Sequence, residues 1–236
     1  MFELPVEFES TYVGPELRLT VPWFFRIFQD AALQDSERIG YNASKTIPLG
    51  LLWVFSRVYV RFDHMPAYLS KGKFVTYSGA KKAFLFPRFG KLLDEKGVVC
   101  AQVSSVFALI HKDDRKVEMH PPLESVDQCL GDEIPLPGKV VSAPVHYRGA
   151  KIVEYADLDL NGHFNNVRYI ELLMNLHDPA FYETNQISEL LIQYESEIRF
   201  GERIEIYADE EANYVRGVVG DRICFEANIS YSPVKK

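Results

Sequence analysis

The chain carries 236 residues, 47% of them hydrophobic and 13% aromatic, with a formal net charge of -7. That is apolar material for one large domain or two of roughly 100 residues, which excludes a disordered chain, and the acidic balance excludes a general nucleic-acid binder. No basic leader with an apolar core is present, nor any apolar run near the roughly 18 residues of a membrane helix, so a soluble protein without membrane insertion is expected. Three cysteines, Cys100, Cys129 and Cys224, form no C-x-x-C pair and leave one over, the pattern of a reducing compartment, and a cytoplasmic location is expected.

In chain order, "FELPVEFEST" reads as a strand and a helical pattern follows from Val21 to Ile39. Thr20 stands at the N-cap, Pro22 in the first turn and Gly40 at the C-terminal cap. Trp23, Phe24, Phe25, Ile27, Phe28, Ala31, Ala32 and Leu33 cover most of the helix circumference, so its first half is expected to be buried. Strands are expected over residues 51–62, 73–83, 84–93 and 98–111, separated by the turn signals "HMP", "SKG" and "DEKG". Prolines then gather at Pro121, Pro122, Pro135, Pro137 and Pro144, the composition of a linker.

Beyond the linker the order repeats: a strand in 143–156, an apolar helix over 167–176, and strands over 190–198, 203–209, 214–219 and 222–231. Strand, buried helix and long meander thus occur twice, with Tyr12 and Tyr155 in corresponding places. The expected organisation is α+β, with units 1–120 and 145–236 joined by a linker at 121–144.

Charge is unevenly spread. Between His64 and Leu93 stand Lys71, Lys73, Lys81, Lys82, Arg88 and Lys91 with no acidic residue, a local +6 in an acidic chain. Such a run either guards a sheet edge with lysines or forms a docking face for an acidic partner.

The chemically dense stretch is "DLDLNGHFNNVRY", residues 157–169. Asp157, Asp159, Asn161, His163 and Asn165 alternate with Leu158, Leu160, Gly162 and Phe164, yet Asp, Asn and Gly are poor strand formers and good turn and cap formers. The start matches a calcium loop, but the twelfth position, which must supply a carboxylate, is Arg168. No second His or Cys stands at zinc-ligand spacing, so no metal is expected. The chain also lacks a G-x-S-x-G elbow, a phosphate-binding G-x-x-x-x-G-K and a G-x-G-x-x-G, which leaves chemistry to carboxylates, His, Asn or Cys. The stretch runs into the second helix, whose first amides can cap a polar group or bind an oxyanion. Asn165 or Asn166 alone would satisfy a cap, with Asp157 and Asp159 adding about 0.3 to 1 kcal/mol each at the positive end; five polar groups exceed that need.

"DLDLNGHFNNVRYIELL" resembles the D-x-D-x-N-x-H-x-N-N-x-x-Y block of the acyl-ACP thioesterases, enzymes that terminate fatty-acid synthesis. "LLWVFSRVYVRF", "AQVSSVFALIHKDDRKV" and "LLIQYESEIRFGERI" are similar to further segments of that family, so the resemblance spans nearly the whole chain. It implies two tandem hotdog units, each a long buried helix wrapped by an antiparallel sheet. It implies a catalytic set of Asp159, Asn161, His163 and Glu197, the last on a strand. Plant members have a cysteine after that glutamate, once taken as the nucleophile; here the position is Ile198, which cannot attack a thioester. Glu197 activating a water and Asp159 attacking to form an anhydride both remain open. Asn161 and His163, with the helix amides near Asn165 and Asn166, would hold the developing oxyanion, a contribution of about 10² to 10³ in rate per donor.

The resemblance also implies no metal or organic cofactor. It implies acyl carrier protein as partner, an acidic protein that would dock on Lys71, Lys73, Lys81, Lys82, Arg88 and Lys91, and it leaves a homodimer compatible. The acyl chain would lie against residues 23–28, and the three cysteines would be inert. Two alternatives stand beside acyl-ACP hydrolysis: a hotdog thioesterase acting on acyl-CoA, and a non-catalytic acyl-binding module.

Overall fold

Helix α1, Val21–Ile39, starts where Thr20 is extended and Pro22 sits in the first turn, and it stops at Gly40, whose left-handed backbone (φ 81°) few other residues adopt cheaply. The computed structural model describes residues 1–129, 131–159 and 161–234. They divide into two compact units, 1–20 with 24–137 and 21–23 with 138–236.

In the first unit five strands, β1 (Phe2–Glu7), β2 (Leu51–Phe62), β3 (Lys71–Ser78), β4 (Leu85–Asp94) and β5 (Val99–His111), form an antiparallel sheet in the order β1-β3-β4-β5-β2. Phe24, Phe25, Ile27, Phe28, Ala31 and Ala32 of α1 are buried. Phe24 meets Phe62 and Phe74 edge-on, and Phe28 lies against Phe55 and Phe74. Leu33, expected in the core, is 52% exposed because the buried face of α1 passes through Ala31, Ala32 and Asp35 instead. A short helix α2, Ala43–Thr46, capped by Asn42, connects α1 to β2.

The proline-rich stretch is bound along this unit. Tyr41 Oη donates to the Glu124 carbonyl and accepts from Val126 N, Gln128 N donates to the Ser78 carbonyl, and Ser104 Oγ donates to the Pro135 carbonyl at 2.6 Å. Leu123 and Val126 pack on the Tyr41, Leu51, Phe86 and Leu109 cluster, and Leu136 packs on Val75, Tyr77 and Phe89. Pro121, Pro122, Pro135 and Pro137 fix φ and carry no N–H donor, while Leu123, Val126 and Leu136 find a sheet to cover.

In the second unit β6 (His146–Ile152), β7 (Asn185–Tyr194), β8 (Arg203–Ala208), β9 (Tyr214–Val219) and β10 (Arg222–Pro233) form an antiparallel sheet in the order β7-β10-β9-β8-β6. Helix α3, Asn166–Met174, buries Val167, Tyr169, Ile170 and Leu173, and Tyr169 meets Tyr194 of β7 and Phe225 of β10 edge-on. Gly217 makes room for Phe225: a Cβ there would lie 1.9 Å from its ring. Each unit is one core helix against a five-stranded antiparallel sheet, the α+β hotdog arrangement. Among the described residues no helix is long and apolar enough to cross a membrane.

Two expectations for this unit are corrected. Helix α4, Pro179–Thr184, capped by Asp178, runs directly into β7, so that strand occupies 185–194 rather than 190–198. Glu197 therefore lies three residues beyond the strand, where the N–H groups of Glu195 and Ser196 both turn to the Cys224 carbonyl and end the ladder.

Candidate active site

The polar stretch is a tight turn built by its own carboxylates. Asp159 Oδ1 accepts from Asn161 N at 2.8 Å and His163 N at 3.0 Å, while Asp159 N donates to the His163 carbonyl at 2.7 Å. The Gly162 amide closes the loop on the Asp159 carbonyl at 3.0 Å with a left-handed backbone (φ 77°). Leu160 lies outside the described residues.

Asp157 is buried and faces inward. Its Oδ2 accepts from Lys151 Nζ at 2.8 Å and Glu154 N at 2.9 Å, and Arg168 Nε stands 3.7 Å from Oδ1. Burial works against its ionisation, but the Lys151 ammonium, the Glu154 amide and Arg168 outweigh burial and hold the carboxyl below its ordinary value. The resemblance to a calcium loop ends here, because these Asp oxygens are committed to protein donors.

Asn165 is the N-cap of α3, its Oδ1 accepting from Val167 N at 2.9 Å, and Asn166 is the first helical residue. Of the two cap candidates, Asn165 does the capping. Asn161 is exposed.

His163 and Glu197 come together. His163 Nε2 lies 3.3 Å from Glu197 Oε2, with both side chains mostly shielded. Two backbone links join the segments that carry them: Phe164 N donates to the Ile198 carbonyl at 2.8 Å, and His163 bridges Arg199. Ile198 itself is fully buried. Burial drives the Tyr169 phenol well above its ordinary value, and Tyr194, Cys224, Asp159 and Glu197 add to the effect. The bond from His163 N to Asp159 and the contact of the His163 ring with Glu197 gather Asp159, His163 and Glu197 in one place.

The six basic residues expected as a docking face separate. Arg88 is only 3% exposed: its Nη1 meets Asp35 Oδ2 at 2.8 Å, and Ser36, Ser78 and Thr76 complete its contacts. Lys91 is 8% exposed and paired with Asp132 at 2.5 Å. Neither can meet a partner, because a buried cation requires a buried or adjacent anion and each has found one. Lys71 and Lys73 are half-neutralised by Glu7 and Glu3, and Lys81 donates to the Leu123 carbonyl, whereas Lys82 is exposed. The cysteines are unpaired. Burial, the largest effect, lifts the thiols of Cys100 to about 12 and Cys129 to about 11, away from thiolate reactivity.

Two hotdog units in one chain, the second carrying an Asp–Asn–His turn that meets a glutamate, define a double-hotdog protein with a carboxylate–imidazole site. The acyl-ACP thioesterase N-terminal domain matches residues 4–122 and the acyl-ACP thioesterase C-terminal domain matches residues 148–224. The chain belongs to the acyl-ACP thioesterase family. A chloroplastic dodecanoyl-[acyl-carrier-protein] hydrolase of Cinnamomum camphora is 22% identical over 221 residues, covering 84% of this chain and 56% of that one. The chain thus spans about half the length of the curated relatives it matches. An acyl-ACP thioesterase crystal structure from Bacteroides thetaiotaomicron superimposes with a TM-score of 0.86 at 23% identity, over 98% of this chain and 97% of that one. The 12:0-ACP thioesterase from Umbellularia californica gives 0.80 at 18% identity, over 98% and 97%.

Proposed function

We propose that this protein hydrolyses the thioester of fatty acyl–acyl carrier protein, releasing the free fatty acid and ending chain elongation. The observation that carries it is the 3.3 Å contact between His163 and Glu197 beside the Asp159 turn, inside the stretch matching the family's C-terminal domain. The relatives' names, as acyl-carrier-protein hydrolases, support the substrate class.

In this proposal Glu197, oriented by His163, takes a proton from water as the water oxygen attacks the thioester carbonyl. The oxyanion collapses to the carboxylic acid as the C–S bond breaks, and the departing thiolate takes the proton from Glu197, which returns to its carboxylate. Thiolate is a good leaving group, so no strong general acid is needed. The exposed Asn161 amide and the N–H of Asn166, the first helical residue, are the donors assigned to the oxyanion, because Asn165 N and Val167 N are committed to the Asp157 carbonyl and Asn165 Oδ1. Asp159 has Oδ1 committed to two amides, and Oδ2 is the oxygen that would meet water or substrate. That commitment favours water activated by Glu197 over an anhydride on Asp159, whose formation would disturb the carboxylate holding the turn.

Carrier docking is assigned to the exposed Lys82 and the adjacent Lys81 beyond one end of β3, with Lys71 and Lys73 at its other end. Lys82→Glu is expected to raise KM for the carrier-bound substrate in a salt-dependent way, with kcat unchanged. Three unpaired cysteines support a reducing, cytoplasmic setting.

The test is thiol release from matched acyl-ACP and acyl-CoA panels by the parent, Glu197→Gln and Asp159→Asn. Carrier-selective release that falls about 10² to 10⁴-fold in Glu197→Gln is the expected result. Equal turnover of acyl-CoA would transfer the assignment to a CoA thioesterase. Tight acyl binding with no release would leave an acyl-binding module.

A further inference from the structure

We propose that Arg222 is a positioning residue that holds Glu197 against His163; this deepens the hydrolase assignment above and rests on it for its catalytic meaning. Arg222 opens β10, and its guanidinium crosses to the segment that follows β7. Nη1 donates to the backbone carbonyl of Glu197 and to Ser196 Oγ, the latter at 3.2 Å, while Nη2 donates to Glu202 Oε1 at 2.8 Å. The other carboxylate oxygen of Glu202 accepts from Arg199 N at 2.7 Å. Arg222, Glu202 and the backbone from Glu197 to Arg199 therefore close a ring around the one turn that carries the candidate base.

The geometry says what the ring is for. The guanidinium engages the backbone carbonyl of Glu197, and the carboxylate lies against His163. Just beyond, the Ile198 carbonyl accepts from Phe164 N, one residue past His163. A Glu outside a strand has no ladder to fix its direction, and these bonds replace one. Arginine suits the task because one planar fork reaches three acceptors, which an ammonium cannot do in a fixed geometry. Arg222 and Glu202 are partly exposed, 41% and 28% for their side chains, and an ion pair that open contributes little to stability. Its loss is therefore expected in the placement of Glu197, where misplacement by about 1 Å can cost 10²-fold in rate.

The experiment uses the full chain with Arg222→Ala, Arg222→Lys, Glu202→Gln, Glu197→Gln and the Arg222→Ala/Glu197→Gln double variant. Arg222→Ala is expected to lower kcat about 10- to 100-fold with KM within about twofold, Arg222→Lys to recover part of the loss, and Glu202→Gln to lie between. If Arg222 acts through Glu197, the double variant is no slower than Glu197→Gln alone; a multiplied loss overturns the proposal. A second readout needs no turnover: in a ¹H–¹⁵N spectrum the His163 imidazole resonances are expected to move in Arg222→Ala in the direction they move in Glu197→Gln. Unmoved His163 resonances in a folded Arg222→Ala protein overturn the positioning role. A parent that releases thiol from no thioester overturns the hydrolase assignment instead, and the His163 spectra still decide the placement of Glu197.

Discussion

Asp159 holds the turn and is also a candidate for the chemistry, and two substitutions separate these roles. Its Oδ1 accepts two backbone N–H groups at 2.8 and 3.0 Å, and a hydrogen bond to a charged acceptor is worth about 1.5 to 3 kcal/mol net, with the lower end applying where water competes. The Asn161 bond is exposed and the His163 bond partly buried, so with both at the lower end Asp159→Ala is expected to cost about 3 kcal/mol. Asp159→Asn keeps a carbonyl oxygen where Oδ1 stands and loses only the charge assistance, about 1 kcal/mol for each of the two bonds. Urea unfolding of both variants measures the difference, and thiol release on the same preparations measures the chemistry. Asparagine that keeps the fold and loses activity about 10² to 10⁴-fold would place the charge itself in the reaction. Asparagine that keeps both would make Asp159 a turn former only. An Asp159→Ala protein within about 0.5 kcal/mol of the parent, or an Asn variant as weak as Ala, would refute the hydrogen-bond accounting.

Other parts of the molecule give independent tests. Asp35→Ala strands the buried Arg88 guanidinium and is expected to cost about 3 to 5 kcal/mol in urea unfolding, whereas Asp35→Leu with Arg88→Met should cost less than either single change; a loss under about 1 kcal/mol for Asp35→Ala would contradict the burial. Asp157, held below its ordinary carboxyl value, contributes stability that is complete above its unfolded value, about 3.9, and is lost as pH falls through the lower folded value. Unfolding free energies from pH 6 to 2 should therefore converge for the parent and Asp157→Asn at the acid end, and parallel curves would count against this linkage. Gly217→Ala puts a methyl 1.9 Å from the buried Phe225 ring and is expected to destabilise by about 1 to 3 kcal/mol through overpacking, read as a lowered Tm.

The elements legible in the sequence were those whose period and punctuation agreed. Helix α1 and strands β2 and β9 coincide with their expected limits, because α1 has Thr20, Pro22 and Gly40 at its ends and the two strands are bounded by turn residues. β7 starts five residues before its expected limit since its first half, with Asn185, Gln186, Ser188 and Glu189, is polar and reads as loop, whereas in the fold it pairs with Ser230 to Pro233 of β10. Helix α4 is too short for its period to be read. Arg88 was assigned to a surface because its ion partner, Asp35, lies 53 residues away. Composition cannot say which distant acid meets a buried cation.

At the site itself the sequence signal was an excess of polar residues, and the structure divides that excess between construction and chemistry. Asp157 ties the loop to Lys151 and Arg168, Asp159 folds the turn, and Asn165 caps α3. Three of the five alternating polar side chains thus build the loop, and their work leaves the His163 ring opposite Glu197. Spacing along the chain could point to His163 because the turn is local, its internal bonds running between residues no more than eight apart. It could not show how Glu197 is held, because that depends on Arg222, 25 residues further on and at the start of another strand. A local motif therefore specifies half of this site, and the register between β7 and β10 specifies the other half.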